Sequence, residues 1–192
     1  MGKTEPIKSI EDINRIKQFF LDNNRKRDYT LFTLGINTAL RISDLLKLKW
    51  GQVYDFNQQK FYTHIRIEEQ KTKKKTIILL NENAYIALKI LKASMVSARP
   101  EEFIFKSKIG INRPIHRSRA YSIIKEAAIA QQVEGIISCH SMRKTFGYHA
   151  WKKGVPPALI MDIYNHSSLE ITKRYLSISQ EDKDSVYHKL LL

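Results

Sequence analysis

The sequence contains one cysteine, Cys139, in 192 residues. An intrachain disulfide is excluded, as is a Cys-rich zinc site, and the usage fits a reducing compartment. No His-Glu-x-x-His stretch is present, so the helical zinc-protease arrangement is excluded too. No apolar run approaches the roughly 20 residues that span a bilayer. The opening stretch MGKTEPIKSIEDINRIKQ is charged and has no apolar centre, so it does not read as a secretory signal. Position 6 is Pro6 rather than Ser or Thr, which removes the myristoylation reading. A cytoplasmic protein without a membrane partner is expected. Acidic residues are in short supply: 19 Asp plus Glu stand against 33 Lys plus Arg, a net charge of +14. A positive field of that size points to a phosphate-rich partner, nucleic acid before an anionic membrane.

What is present is enough apolar sequence, 43%, for a sizeable core. Residues 1–8 read as a loose leader. Ser9 then caps an amphipathic helix in which Ile10, Ile13, Ile16, Phe19 and Phe20 recur at helical spacing. RDYTLFTLGINTAL is a more uniformly apolar, buried helix, and RISDLLKL restarts a short one with Ser43 as its cap. From Trp50 to Gln70, β-branched and aromatic residues alternate with polar ones as in strands. TIILL is a further strand, with KTKKK as the hairpin tip between them, and EEFIF is a short extended piece. Helices follow over ENAYIALKILKASMVSA, from near Pro114, over 140–153 up to Gly154, from Pro156 and Pro157, and over SLEITKRYL from Ser167 or Ser168. The tail QEDKDSVYHKLLL is short, helical and apolar at its end. No internal repeat, low-complexity linker or domain boundary is visible. The expected fold class is α+β, mostly α-helical with a small three-stranded antiparallel sheet.

Several residues could carry chemistry. His140 and Arg143 are three apart on a helix and share a face. A guanidinium fork beside an imidazole suits a phosphate diester, the fork holding oxygens and the imidazole moving a proton. The same pair can equally be two solvated residues of a basic helix. Arg41 sits among Ala39, Leu40, Ile42, Leu45 and Leu46, where an arginine needs an anionic partner; Asp44 can supply it, with or without a ligand. The lysines of QKTKKK are either a solvated turn or a reach towards phosphates and base edges. Tyr175 follows Lys173 and Arg174. A phenol titrates near ~10 and needs nearby cations or a base to attack as phenolate; otherwise Tyr175 is a core aromatic. His166 alone is an ordinary loop or capping histidine.

Taken as a set, these stretches resemble the tyrosine recombinase family, the phage-integrase type of site-specific recombinase. TALRISDLLKLKW is similar to its first arginine box, with Asp44 three residues after Arg41. HSMRKTFGYHAWKKG is similar to its His-x-x-Arg box, and NHSSLEITKRYL to its closing box, with His166 nine residues before Tyr175. QKTKKKTIILL matches the family's hairpin Lys-Thr pair at Lys71, with Lys73 as runner-up. One departure is Tyr164-Asn165 where the family commonly has Leu-Gly before the histidine; Asn tolerates left-handed backbone better than most residues.

The resemblance covers about residues 8–180 and implies the DNA breaking-rejoining fold of the recombinase catalytic domain over 9–180. It implies Tyr175 as nucleophile, Arg41 and Arg143 on the phosphate oxygens and His166 as a further donor. Lys71 would act as acid, His140 as base and Asp44 as orienting residue. Lys71, Lys73, Lys74, Lys75, Lys144 and Arg174 would contact DNA. No cofactor or metal is implied, since two arginines bring the charge. The implied partner is double-stranded DNA bound by a homotetramer, with the 181–192 tail docking on a neighbouring protomer. Family members usually carry a preceding helical clamp domain, so this chain is expected to be either a short recombinase or the catalytic part of a longer one. The alternatives are a type IB topoisomerase-like enzyme, which reseals the same strand, and a non-catalytic DNA-binding regulator.

Overall fold

A computed structural model describes residues 4–190. Helix α1, Ile10–Asp22, starts where Ser9 Oγ accepts the Asp12 N–H at 3.2 Å, and Glu11 and Asp12 oppose the positive end of its dipole. It buries Ile13, Ile16 and Phe20 and leaves Ile10 exposed. Helix α2, Lys26–Asn37, runs through the centre and is buried continuously from Asp28 to Ile36. The buried Asp28 carboxylate is matched by Arg25 and Arg27 at 2.9 and 3.0 Å. α2 packs on α4, Glu82–Ala93, and on α6, Cys139–Lys152.

Residues 4–8 are not a loose leader. Ile7 is buried, its N–H donates to Thr145 Oγ1 at 2.9 Å, and the Glu5 N–H donates to the Ile136 carbonyl at 3.1 Å. Ile7 is the first apolar residue of the core, and burying it straps the segment across α6. Residues 1–3 of the expected leader lie outside the described residues.

The strands form two separate two-stranded ribbons rather than one three-stranded sheet. β1, Tyr54–Asp55, pairs antiparallel with β2, Lys60–Phe61; β3, His64–Glu68, pairs with β4, Lys75–Leu79. Backbone bonding explains the split. Tyr62 N–H donates back to the Val53 carbonyl, closing the first ribbon, while the Thr63 carbonyl accepts from Leu80 N–H and opens the second. The EEFIF segment contributes only an isolated bridge, Phe103 to Lys49. Two helix starts also differ from expectation. Helix α3, Ile42–Leu45, is capped by the backbone of Arg41, with Ser43 inside it. Helix α5, Arg117–Ala130, begins at His116, whose ring accepts the Ser118 N–H. Pro114 lies instead in an isolated bridge with Lys106, and the next residue, Ile115, donates its N–H to the Phe105 carbonyl.

The last helices carry the chemistry-bearing residues. α6 opens with a reciprocal cap between Ser138 and Ser141 and ends at Gly154, whose φ of +84° suits glycine. Three shorter helices follow: α7, Pro157–Ile163; α8, Leu169–Leu176; and α9, Gln180–Lys189. A second small core of Ala39, Ile160, Tyr164 and Leu176, with Phe146, Trp151 and Tyr175 against it, binds α6, α7 and α8 together. The expected helical boundaries around Gly154, Pro157 and Ser168 are the observed ones.

Candidate active site

Arg143 projects from the first turns of α6 into the second core and is 2% exposed. Its Nη1 donates to the Ala39 carbonyl and its Nη2 to the Tyr164 carbonyl at 2.6 Å. Its guanidinium lies 4.3 Å from the centre of the Tyr164 ring, a cation–π stack. Arg41, at the α3 N-terminus, places Nη2 on the same Tyr164 carbonyl at 3.3 Å. Two guanidiniums therefore share one acceptor. Burial, then the charge of Arg41, lowers Arg143 to about 10, so it stays charged at neutral pH. Its buried Nε–H has no partner among the described residues.

The acceptor is held from below. Tyr164 is fully buried, its hydroxyl donates to the Arg143 carbonyl, and burial raises its phenol far above the ordinary range. Gly147 makes room for it: a Cβ there would overlap the Tyr164 hydroxyl and sit 3.1 Å from two ring carbons. Ala39, whose carbonyl takes Arg143, has φ +57°, a conformation that costs a residue with a Cβ roughly 1–2 kcal/mol. Asn165 follows Tyr164 at φ +50°, so the turn before His166 survives without glycine.

Tyr175, half-buried on α8, stacks against three rings. The centroids of His140, His166 and Tyr164 lie 5.1, 4.8 and 5.2 Å from its own. His166 Nδ1 is 3.0 Å from Thr172 Oγ1. Protein atoms crowding the rings, then nearby cations, lower both histidines to about 4. For His140, which keeps an exposed edge, Lys144 is the leading cation; for His166 it is Arg143. Both are neutral at pH 7, one fit to accept a proton and the other to donate a hydrogen bond without adding charge.

The structure thus brings Arg41, Arg143, His140, His166 and Tyr175 together. Lys71 stands exposed on the β3–β4 tip. Its neighbours are fixed: Gln70 N–H donates to Asp44 Oδ1 at 3.0 Å and Thr72 Oγ1 donates to Glu69 Oε2 at 2.7 Å. Lys73 and Lys74 are exposed on the same tip, Lys73 at φ +56°, and Lys75 is exposed at the start of β4. Arg174 is exposed and pairs with Glu170 at 3.0 Å, a surface pair of small energetic consequence.

Two expectations change. Asp44 forms no ion pair with Arg41 among the described residues; it holds the hairpin through Gln70 instead. Arg41 pairs with Glu69, a carboxylate 2% exposed, because Glu69 continues the inward phase of Ile65 and Ile67 on β3. That two-residue phase was the available signal. Lys144 is not a surface cation: it is 5% exposed and donates to the Thr4 carbonyl, covered by the N-terminal strap.

Among the described residues no cluster of three His, Cys, Asp or Glu is placed to hold a metal ion, and no helix is long and apolar enough to cross a membrane.

Paired guanidiniums beside a tyrosine, on this helical frame, define the class: the chain belongs to the phage integrase family, whose model matches residues 8–182. It is a tyrosine-type site-specific recombinase. It is 42% identical over 187 residues to the probable integrase/recombinase YoeC of Bacillus subtilis (strain 168), covering 97% of each chain. It is 28% identical to a tyrosine recombinase of Pseudothermotoga lettingae, covering 94% of this chain but 59% of that one. The chain therefore spans about three-fifths of some curated relatives and nearly all of another. In fold it is similar to the XerA recombinase, TM-score 0.75 at 19% identity, over 97% of this chain and 66% of the other. It is also similar to the XerH recombinase bound to palindromic difH substrate, TM-score 0.74 at 16% identity, over 97% of this chain and 53% of the other.

Proposed function

We propose that the chain cuts and rejoins duplex DNA in the cytoplasm through a 3′-phosphotyrosine link at Tyr175. The observation that carries this is the convergence of the Arg41 and Arg143 guanidiniums on one carbonyl, beside a tyrosine packed between two neutral imidazoles. Two cations held side by side without a shared anion are a ready-made site for a phosphate.

In this mechanism the Tyr175 oxygen attacks phosphorus and His140 accepts its proton. The bond from phosphorus to the 5′ oxygen breaks, and Lys71 protonates the leaving oxygen. Arg41 and Arg143 balance the charge that builds on the non-bridging oxygens, where fixed donors act most strongly, and His166 adds a neutral hydrogen bond. The phosphotyrosine conserves the linkage, so a 5′-hydroxyl from a second duplex can reverse the step and exchange strands. Asp44 contributes by holding the hairpin that carries Lys71. Lys73, Lys74, Lys75 and Arg174 would contact the DNA backbone.

Strand exchange between two duplexes calls for four protomers, and α9 is a suitable docking segment because none of its residues is buried. Of the tail, Leu191 and Leu192 lie outside the described residues. Removing residues 181–192 should weaken assembly on DNA, and unchanged assembly would refute that role.

A nicked suicide oligonucleotide carrying the recombination site tests the chemistry. The chain should form a covalent protein–DNA adduct, and Tyr175→Phe should abolish it while retaining DNA binding. Relaxation of a plasmid lacking such sites would instead indicate topoisomerase behaviour, and binding without any adduct would indicate a regulator.

A further inference from the structure

Glu69 is a buried carboxylate in contact with Arg41, and nothing in the mechanism above uses it. Its Oε2 accepts from Arg41 Nη1 and from Thr72 Oγ1 at 2.7 Å; its Oε1 accepts from Asn165 Nδ2 at 2.9 Å. Asn165 Nδ2 also reaches Thr76 Oγ1 at 3.1 Å. The three donors come from three places: the start of α3, the hairpin tip beside Lys71, and the turn before His166. Burial alone would raise the Glu69 carboxyl, but hydrogen bonds from Asn165 and Thr72 and the Arg41 charge bring it below the ordinary range, so it is ionised at neutral pH.

We infer that Glu69 is a positioning residue that locks Arg41, the Lys71 hairpin and the His166 turn into one arrangement. The inference rests on the recombinase reading above. A neutral amide is a poorer partner than the carboxylate. Arg41 and Asn165 present N–H groups to its two oxygens, whereas glutamine has one oxygen and one NH2. With its oxygen on Arg41, its NH2 meets the Asn165 NH2 unless that amide turns over, and in either case the negative charge that holds Arg41 is lost. Ground-state DNA binding should not suffer, because a negative charge is removed from beside the phosphate site. Charge therefore predicts a split: chemistry slows while affinity holds or rises.

The test compares wild type, Glu69→Gln and Glu69→Asp on the suicide oligonucleotide in single turnover at saturating DNA. The adduct amplitude reports the active fraction, and Kd is measured separately. Glu69→Gln should cleave at least about tenfold more slowly per active molecule, with Kd equal to or tighter than wild type. Glu69→Asp, which keeps the charge, should retain more of the rate. A Glu69→Gln rate within twofold of wild type, a loss confined to amplitude, a parallel weakening of Kd, or an aspartate variant no faster than the glutamine one would each overturn the inference. If wild type itself forms no adduct, the recombinase chemistry fails and this inference fails with it; an adduct from wild type with any overturning result leaves that chemistry standing.

Discussion

Replacing Gly147 by alanine tests how the two arginines are supported. The added Cβ would overlap the Tyr164 hydroxyl and approach Cε2 and Cζ to 3.1 Å. Both groups are buried, and α6 is packed against α2 and α8. Overpacking of this kind costs about 1–3 kcal/mol. Displacing Tyr164 also loosens its hydroxyl bond to the Arg143 carbonyl, about 1 kcal/mol, and the stack under the Arg143 guanidinium, roughly 0.5–2 kcal/mol. The expected loss is about 2.5–6 kcal/mol, a fall in Tm of roughly 5–24 °C for a domain of this size. Because the Tyr164 carbonyl is the shared acceptor, cleavage should slow as well.

The assay is a double-mutant cycle with Tyr164→Phe, read by thermal unfolding and by adduct formation. Removing the hydroxyl destabilises wild type but relieves the worst overlap in the alanine background. Tyr164→Phe should therefore cost less there than in wild type, or stabilise it. Additive losses, or an unperturbed Gly147→Ala protein, would refute this close packing.

Two further outcomes follow from local chemistry. Ala39→Gly should raise stability by about 0.5–1 kcal/mol by relieving a positive φ, seen as a higher denaturant midpoint at unchanged m. A lower midpoint would show that packing of the Ala39 methyl outweighs backbone relief. His140 and His166 sit near 4 in the fold against about 6.5 unfolded. Between those values the unfolded chain binds more protons, so stability falls as pH drops from about 6.5 to 4. A bound phosphate raises both histidines, so DNA binding should take up protons and tighten over the upper part of that window. Ring titrations near 6.5 in the free protein would contradict this.

The helical frame was legible because Ser9, Gly154, Pro157 and Ser168 mark helix ends by local chemistry alone. The set Arg41, His140, Arg143, His166 and Tyr175 was legible through the resemblance to the recombinase boxes; helical spacing alone puts only His140 and Arg143 on one face. What escaped the sequence depended on distant partners. Lys144 looks like a solvated cation until the strap at Thr4–Ile7 covers it, and nothing in α6 announces that strap. Glu68 and Glu69 are chemically alike, and only strand phase separates an exposed acid from a buried one. Asp44 lies three residues from Arg41, but the hairpin backbone reaches it and Glu69 reaches the arginine. The single sheet expected from alternating residues divided because adjacent backbone groups, Tyr62 N–H and Thr63 C=O, bond in different directions.

The most direct measurement is peptide mapping of the covalent protein–DNA adduct after trypsin and nuclease digestion. Cleavage after Arg174, Lys183 and Lys189 separates residues 175–183, with Tyr175 as their one tyrosine, from residues 184–189, which contain Tyr187. Nucleotide mass on Tyr175 in the first peptide is the predicted result. Nucleotide mass on Tyr187, which is 79% exposed on α9 and outside the arginine site, would contradict it.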